Sequence, residues 1–408
     1  VAPCVYRIPE CSRQNSRRQT TVRVHATCST GRGPGVDARS GMVILIRINT
    51  ATWNLRSWDP WCHDVSDEAA RRRRPTQADV ARLAAVSQPL VSYVLSGDPN
   101  APVAPETRAR VMAAIAELGY VPSHAARSLR SRRALAIGAI IPDITNPFYP
   151  AFARGIQNVA EREGYDLIAY NSDGLLERER KFMQSALAGR VDGVILSPFQ
   201  ITLDELADVA EMNIPVVALT SRRPIAGRAP VDTVHVDSVG AARQAVEHLI
   251  ARGHRHIGMI AGEAGTPPRE DRVLGYLEAL EAHGLRADEL LLRGADFNED
   301  GGYRAAHDLL RLCPRPTAIF AANDLMAMGA MAALHEMGLH VPNDVGIVGF
   351  DDIPAARLLA PPLTTVAQYP DRLGERTAEL LLERLRGEGP PYSREFVMPA
   401  ELVVRQSA

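Results

Sequence analysis

Three residues near position 90, Gln88, Pro89 and Tyr93, have types and spacing suited to recognition of DNA bases. They lie on the face of a short amphipathic segment opposite Val91 and Leu95, so they point outward. A glutamine amide can bond the edge of adenine through two atoms, which discriminates between bases by about 1–3 kcal/mol. Proline offers only apolar surface, for instance to a thymine methyl. At the start of an exposed helix, these residues indicate contact with the major groove.

Patterns typical of catalysis or metal binding do not occur in the sequence. There is no G-x-S-x-G turn, no phosphate-binding loop, and no G-x-G-x-x-G that follows a strand. His254 and His256 have no carboxylate or cysteine at metal-ligand spacing, and the five cysteines form no C-x-x-C pair. We therefore expect no catalytic residue, no metal site and no cofactor, and a protein that is not an enzyme.

Three short helices are predicted to position the outward-facing residues. The first begins at a capping box formed by Thr76 and Asp79. The second follows the turn Ala84–Val86 and runs to about Leu95, and the third covers about Glu106–Leu118. Three helices with such a turn between the first two predict a helix-turn-helix domain.

From about residue 134 the sequence alternates apolar runs with amphipathic stretches, which predicts parallel strands joined by helices. The predicted strands are Leu135–Ile141, Leu167–Tyr170, Gly193–Leu196, Val216–Leu219, Val234–Val236, Ile257–Ile260, Ala318–Ala321 and Val345–Val348. The predicted helices include Tyr149–Glu163, Lys181–Ala188, Ala241–Ala251, Asp271–Ala282 and Leu325–Met337. By itself this alternation fits one α/β barrel or two doubly wound sheets.

Charge is distributed unevenly along the 408 residues, although the formal net charge is only −2. Residues 1–74 hold 13 Arg against 6 acidic residues, whereas residues 136–408 hold 26 basic against 38 acidic residues. Residues 1–74 also show no sustained period, so they are predicted to be a disordered leader or upstream sequence translated from a misassigned start. No apolar run reaches the ~18 residues of a membrane span, and no signal peptide is evident, so a cytoplasmic protein without membrane contact is expected.

Long motifs make the chain resemble the LacI/GalR family of bacterial transcription regulators. The first is TQADVARLAAVSQPLVSYVLSG with VAPETRARVMAAIAELGYVPSHAARSL; the body adds IGAIIPDITNPFYPAFARGI, VDGVILSPF, HLIARGHRHIGMIAG and PTAIFAANDLMAMGAMAALHEMGLHVPNDVGIVGFDDIPAARLLAPPLTTVAQ. The resemblance covers about Thr76 to Val404. It implies an α/β protein: an N-terminal all-α helix-turn-helix head and a two-lobed, doubly wound α/β domain like the periplasmic binding proteins.

The resemblance assigns DNA contacts to the head and to the segment that follows it. It implies base contacts for Gln88, Pro89 and Tyr93, and phosphate contacts, which set register, for Ser87, Thr107 and Tyr120. Tyr120 fits equally well as a core tyrosine. Residues 123–130 resemble the family's hinge helix, with Ser123 as its N-cap and Leu129 as a wedge in the minor groove. A passive linker is the alternative.

The resemblance also assigns effector contacts to loops that follow the strands, where the cleft between the lobes opens. The implied effector-binding residues are Asn146, Phe148, Tyr149, Asp173, Arg222, Arg272, Asn323, Asp324, Asp351 and Gln368. Polar donors and carboxylates around aromatic rings suit a polyhydroxylated sugar. The family often has Asp-Arg after the fourth strand, whereas this chain has Thr220-Ser221-Arg222-Arg223, which leaves an anionic or phosphorylated ligand open.

The predicted domains are a leader (1–74), a head (75–121), a hinge and linker (122–134) and an effector-binding and dimerisation domain (135–408). Lobe one is expected to span about 135–236 and 354–390, and lobe two about 237–353 and 391–408. The predicted function is a transcriptional repressor that binds double-stranded operator DNA and a small-molecule effector, a sugar or sugar derivative. A homodimer is expected because one head reads few bases, although a tetramer is left open. The alternative function is a solute-binding module without a role on DNA.

Overall fold

The computed structural model describes residues 46–48, 51–53, 75–96, 103–121, 133–223 and 227–408. The chain forms two compact units, Val1–Tyr120 and Val121–Ala408. Within residues 1–74 the structure describes a short antiparallel pair, β1 (Ile46–Ile48) and β2 (Ala51–Trp53). The sequence does not predict these strands.

The head contains the three predicted helices, α1 (Gln77–Leu83), α2 (Gln88–Ser96) and α3 (Pro105–Leu118). Thr76 and Asp79 form the predicted capping box, in which the Thr76 N–H donates to Asp79 Oδ2 at 2.9 Å. Helix α3 ends at Gly119, whose φ of +59° suits a residue without a side chain. The helix-turn-helix prediction is confirmed.

A small apolar core holds the three helices of the head together. Val80, Val91 and Val111 contribute one fully buried valine from each helix. Val86 and Leu95 are half-buried and pack against this cluster, as their spacing predicts. Because α2 is fixed through this one face, its opposite face is left to solvent.

The first lobe of the body is built on a six-stranded sheet in which every pair of neighbours is parallel. In spatial order its strands are β13 (Glu395–Met398), β7 (Val231–Val236), β6 (Val216–Leu219), β5 (Gly193–Leu196), β3 (Ala136–Ile141) and β4 (Asp166–Asn171). Its helices are α4 (Phe148–Arg162), α5 (Leu176–Leu187), α6 (Leu203–Glu211) and α11 (Pro370–Arg386). The central strands are fully buried, in agreement with their continuous apolar sequence.

The second lobe is built on a four-stranded parallel sheet. In spatial order its strands are β11 (Gly346–Val348), β10 (Ala318–Ala321), β8 (Ile257–Ala261) and β9 (Leu292–Gly294). Its helices are α7 (Ser238–Ala251), α8 (Pro267–Ala282), α9 (Glu299–Leu310) and α10 (Asp324–Glu336), with a single 3-10 turn at Glu289–Leu291. Two doubly wound sheets are therefore present rather than one barrel.

Three crossovers join the lobes, and two of them differ from the predicted boundaries. Strand β13 pairs with β7 in the first sheet, whereas the sequence predicted residues 391–408 in lobe two. Strand β12 (Thr365–Ala367) lies with lobe two, whereas lobe one was predicted from residue 354: Thr364 pairs with Val348 at the end of β11, and Ala367 pairs with Asp351 in the loop that follows it. Strand β14 (Glu401–Val403) pairs antiparallel with β12, so these two crossovers form a ribbon.

Among the helices that the structure describes, none combines the length and the hydropathy that a bilayer span needs. Helix α11 is long but amphipathic, with seven buried residues on one face and charged residues on the other. Its buried face packs against the first lobe.

Candidate functional sites

The exposed face of α2 presents the residues that the sequence singled out. Ser87, Gln88 and Pro89 are exposed at the start of the helix, and Tyr93 is 53% exposed one turn later. The carbonyl of Ser87 accepts the N–H of Leu90 at 3.1 Å, which fixes the first turn. A polar amide and an apolar ring thus lie side by side at a helix N-terminus, the geometry that major-groove reading requires.

The other predicted contacts of the head are divided between the surface and the core. Thr107 is half-buried in the first turn of α3, and its N–H donates to the Ala104 carbonyl at 3.0 Å. Tyr120 packs partly against the core of the head, as the alternative interpretation proposed. Ser123 and Leu129 lie outside the described residues.

A cavity with about 840 Å³ of empty space, including the part open to solvent, lies between the two lobes of the body. Seven of the ten predicted effector residues line it: Asn146, Phe148, Tyr149, Arg272, Asn323, Asp351 and Gln368. They follow strands of both sheets at the carboxyl ends, where parallel α/β sheets place their ligands. The structure thus brings together residues that are far apart in the sequence.

Arg272 is the central cation of the cavity and is only 6% exposed. One terminal nitrogen donates to the Ala322 carbonyl, the other lies 3.7 Å from Asp351 Oδ1, and the guanidinium carbon lies 3.9 Å from the Phe350 ring centroid. Burial lowers the pKa of Arg272, with Asp351 opposing the shift. Its Nε is buried without a hydrogen-bond partner among the described residues, so it is available to a ligand.

Gly275 explains the spacing of the R-x-x-G motif. A Cβ on this residue would lie 2.2 Å from the Val239 carbonyl oxygen, so only glycine allows α8 to pack this closely on α7. Arg272 lies three residues earlier on the same helix. The close packing of the two helices therefore fixes the position of the guanidinium.

Asp351 faces Arg272 from the loop that follows β11. Its Oδ1 accepts the side-chain N–H of Gln368 at 2.6 Å. Burial raises the pKa of Asp351 to about 6, although Arg272 and the hydrogen bond from Gln368 oppose the shift. Its φ of +123° is strained for a residue with a side chain, and the backbone pairing with Ala367 holds it there.

Asn323 and Asp324 are adjacent but differ in their surroundings. Asn323 lines the cavity, accepts the N–H of Met326 at 2.8 Å and donates to the Phe297 carbonyl at 3.0 Å. Asp324 is fully buried outside the cavity lining and accepts hydrogen bonds from Ile353 N–H at 2.9 Å and Thr365 Oγ1 at 2.5 Å. Burial, followed by the nearby Asp351, raises the pKa of Asp324 well above its usual value.

Lobe one contributes an aromatic wall to the cavity. Phe148 and Tyr149 pack edge to face with their ring centroids 5.1 Å apart. Asn146 caps the helix that carries them, because its Oδ1 accepts the Phe148 N–H at 3.0 Å. Burial raises the pKa of Tyr149 above its ordinary value, so its hydroxyl stays protonated and can donate.

Two other predicted effector residues also lie outside the cavity lining. Asp173 is exposed and pairs with Arg178, because it follows β4, the edge strand of the sheet, rather than a central strand. Arg222 donates to the Gly265 carbonyl of the opposite lobe at 3.2 Å. The rule that ligands lie at strand ends thus holds at the centre of the sheet and fails at its edge.

Sequence reasoning missed other polar and aromatic residues of the cavity lining, among them Asp143, Ser197, Phe199, Ser221, Asp271 and Phe297. Ser221 Oγ donates across the cleft to Asp271 Oδ2 at 2.5 Å, and the rings of Phe199 and Phe297 meet 5.9 Å apart. Asp143 directly follows the IIP end of β3, and Asp271 directly precedes Arg272. Their positions next to a strand end and next to a predicted effector residue could have identified Asp143 and Asp271 from the sequence.

Within the described residues, no group of three or more His, Cys, Asp or Glu side chains is arranged to hold a metal ion. The arrangement is that of a non-covalent binding site, with acceptors, one buried guanidinium and apolar rings.

Two family models match the chain. "Bacterial regulatory proteins, lacI family" matches residues 76–123, and "Periplasmic binding protein-like domain" matches residues 246–408. The chain is 38% identical to the ribose operon repressor of Halalkalibacterium halodurans over 81% of this chain and 96% of that protein. It is 37% identical to the transcriptional regulator CelR of Thermobifida fusca over 83% of this chain and 99% of that protein.

Solved structures show the same likeness. A CelR–cellobiose complex matches 82% of this chain and all of that chain, with a TM-score of 0.62 and 34% identity. The Lac repressor dimer bound to operator and an anti-inducer matches 82% of this chain and 99% of that chain, with a TM-score of 0.72 and 28% identity.

Proposed function

Because the chain belongs to the LacI family of bacterial regulatory proteins, we propose that it represses transcription from an operator under the control of a sugar effector. The chain is a DNA-binding transcriptional regulator, as its named relatives are. The operator contacts, the effector contacts, the homodimer and the cytoplasmic location are parts of the proposal.

The observation that carries the proposal is the exposed start of α2. Gln88 contacts adenine, Pro89 contacts a thymine methyl, and Tyr93 contacts a neighbouring base edge. Ser87, Thr107 and Tyr120 contact phosphates and set the register of the head on DNA. Ser123 caps the hinge helix, and its Leu129 opens a base step in the minor groove.

A homodimer on a pseudo-palindromic operator follows from the size of the head. One recognition helix reads only a few base pairs, so two heads related by a two-fold axis are needed for specificity. The dimeric Lac repressor, bound to its operator, supports this arrangement for the present chain.

The effector occupies the cavity between the lobes, in contact with Arg272, Asp351, Asn323 and the aromatic wall. A sugar fits because the ring faces can stack on Phe148 while carboxylate and amide groups bond the hydroxyls. The cellobiose complex of CelR and the ribose operon repressor support a sugar as the class. Linkage requires that effector and operator change each other's affinity by the same factor.

The test is selection of operator DNA from the flanking genomic sequence, followed by fluorescence anisotropy with the purified full chain. We expect Gln88→Ala to weaken binding to the selected operator by roughly 5–150-fold, the equivalent of 1–3 kcal/mol, with little change for random DNA. The matched control is Glu117→Gln on the exposed surface of α3, which should leave both affinities unchanged. Equal loss of specific and random binding in Gln88→Ala contradicts the base-reading role.

A further inference from the structure

We propose that the cavity selects a neutral, hydroxylated ligand and excludes phosphorylated or carboxylated ones, with Asp271 as a specificity determinant. This inference rests on the proposed role of the same cavity as the effector site. It replaces the anionic alternative that the arginines after β6 left open.

The charge on the cavity wall is predominantly negative. Asp143, Asp271 and Asp351 line the cavity, whereas Arg272 is the one guanidinium among the described lining residues. One terminal nitrogen of Arg272 bonds the Ala322 carbonyl and the other lies 3.7 Å from Asp351, so the charge of this guanidinium is already paired with a carboxylate although its Nε is free to donate. A phosphate would meet three carboxylates and a single guanidinium that already faces one of them, and close like charges disfavour binding of the anion.

The two arginines that suggested an anionic ligand do not line the cavity. Arg222 donates to the Gly265 carbonyl at 3.2 Å and thereby ties the two lobes together. Arg223 is exposed. Neither guanidinium therefore compensates the charge of an anionic ligand inside the cavity.

Helix α8 begins at the cavity but lacks the donors that bind anions. Its first two residues, Pro267 and Pro268, line the cavity and carry no N–H. A helix N-terminus binds phosphate through its free N–H groups. This end of α8 offers the ligand apolar surface instead.

Helices α10 and α4 also begin at the cavity, and in each an asparagine side chain accepts one N–H of the first turn. Asn323 Oδ1 accepts the N–H of Met326 at 2.8 Å, and Asn146 Oδ1 accepts the N–H of Phe148 at 3.0 Å. Because these amide side chains take up N–H groups at the two helix ends, fewer donors remain there for an anion.

Asp271 already binds an alcohol. Its Oδ2 accepts the Ser221 hydroxyl at 2.5 Å across the cleft, and among the described residues no hydrogen bond involves its Oδ1. A ligand hydroxyl can take Oδ1 or replace Ser221 on Oδ2. Phe199 and Phe297, which pack against each other across the cleft, supply the apolar surface that a sugar ring covers.

The experiment compares neutral sugars with anionic derivatives of the same sugars, by calorimetry and thermal shift on the full chain. The neutral probes are D-ribose, D-glucose and cellobiose, and their anionic counterparts are D-ribose 5-phosphate, D-glucuronate with D-glucose 6-phosphate, and cellobiose 6′-phosphate. We expect at least one neutral sugar to bind. The affinity for its charged counterpart should be lower by about tenfold or more. Tighter or equal binding of an anionic probe, or no neutral binder, overturns the inference.

The variant Asp271→Asn tests whether the Asp271 carboxylate determines specificity, because it removes the charge and keeps the size of the side chain. We expect it to weaken the neutral ligand about tenfold, because a hydrogen bond to a charged acceptor is lost, and to narrow the ratio of neutral to anionic affinity. Asp173→Asn, which removes an exposed carboxylate outside the cavity lining, is the matched control and should change neither value. An unchanged ratio in Asp271→Asn overturns the role of this residue.

Operator binding, measured on the same preparation, distinguishes a failure of the proposed function from a failure of the inference about ligand charge. A chain that binds its operator but prefers a phosphorylated sugar contradicts only the inference about charge. A chain that binds no specific DNA contradicts the proposed function, whichever sugar it takes.

Discussion

Replacement of Asp351 by Asn should raise the stability of the ligand-free protein and weaken its binding of sugar. Asp351 is 5% exposed, and burial raises its pKa to about 6 against an ordinary value of about 3.9. Arg272 faces it and opposes the shift. Asp324 and Tyr149 are the other titratable groups close to it, and burial raises the pKa of both.

The sign and size of the stability effect follow from the two pKa values. Between about pH 4 and pH 6 the folded state holds a proton that the unfolded chain has released, so the free energy of unfolding falls as pH rises. Above pH 6 the whole cost of about two pKa units remains, on the order of 2–3 kcal/mol. Asn resembles the protonated acid and keeps the oxygen that accepts from Gln368. We therefore expect Asp351→Asn to raise the melting temperature by roughly 4–10 °C at pH 7.5 and to change it little at pH 4.

The effect on sugar binding has the opposite sign, because an ionised carboxylate is the stronger acceptor for ligand hydroxyls. With a pKa of about 6, about one tenth of Asp351 is ionised at pH 5 in the ligand-free protein. The affinity for a neutral sugar should therefore be about tenfold lower at pH 5 than at pH 7.5. In Asp351→Asn the affinity should be low at both values, without this dependence.

Thermal unfolding and calorimetry at pH 5 and pH 7.5 check both effects, with Asp173→Asn as an exposed carboxylate control. A variant that is less stable than the parent at pH 7.5 would refute the assignment of a buried, costly charge. A parent protein whose sugar affinity is the same at both pH values would refute the role of ionised Asp351 as an acceptor.

Three further outcomes follow from the structure. Asp232→Ala should cost about 3–5 kcal/mol in urea unfolding at pH 7, because it leaves the buried Arg384 without its carboxylate and removes one of the two carboxylates that pair with Arg394. Burial alone would raise the pKa of Asp232, but the two arginines hold this pKa below its usual value. The stabilisation by ionised Asp232 is therefore present above about pH 4 and is lost as pH falls through the lowered pKa. The loss of stability in Asp232→Ala should accordingly be smaller in acid. Gly275→Ala should separate α8 from α7 and reduce sugar affinity at least tenfold by calorimetry, while operator binding in the absence of sugar is retained. Leu129→Ala should cut operator affinity in anisotropy assays and spare random DNA; equal loss of both would exclude the wedge role.

The central strands could be predicted from the sequence because burial on both faces makes them continuous apolar runs. β3, β5, β6 and β10 agree with their predicted spans to within one residue. β9, β12 and β14 have three residues each, too few for any period to be visible. Helix α6 was missed although its capping box, Thr202 with Glu205, is visible in the sequence.

The positions of the site residues could be predicted only in part, because their neighbours come from distant parts of the chain. Asp324 and Asp351 look alike in sequence, since each is an acidic residue after a buried strand. In the fold, Thr365 and Ile353 occupy the oxygens of Asp324, while Asp351 faces the cavity. That difference depends on β12, a crossover strand that the sequence pattern did not reveal.

The same crossover gives the cavity a direct connection to the joint between the lobes. Gln368 follows β12 in the ribbon that β12 and β14 form, and its amide donates to Asp351 at 2.6 Å. A ligand hydroxyl on Asp351 would therefore share this carboxylate with a side chain from the ribbon between the lobes. The backbone of Asp351 also pairs with Ala367 of that strand. Both the side chain and the backbone of Asp351 therefore contact the ribbon. We therefore expect occupancy of the cavity to change the relative position of the lobes through these contacts, and small-angle scattering with and without the bound sugar would measure that change.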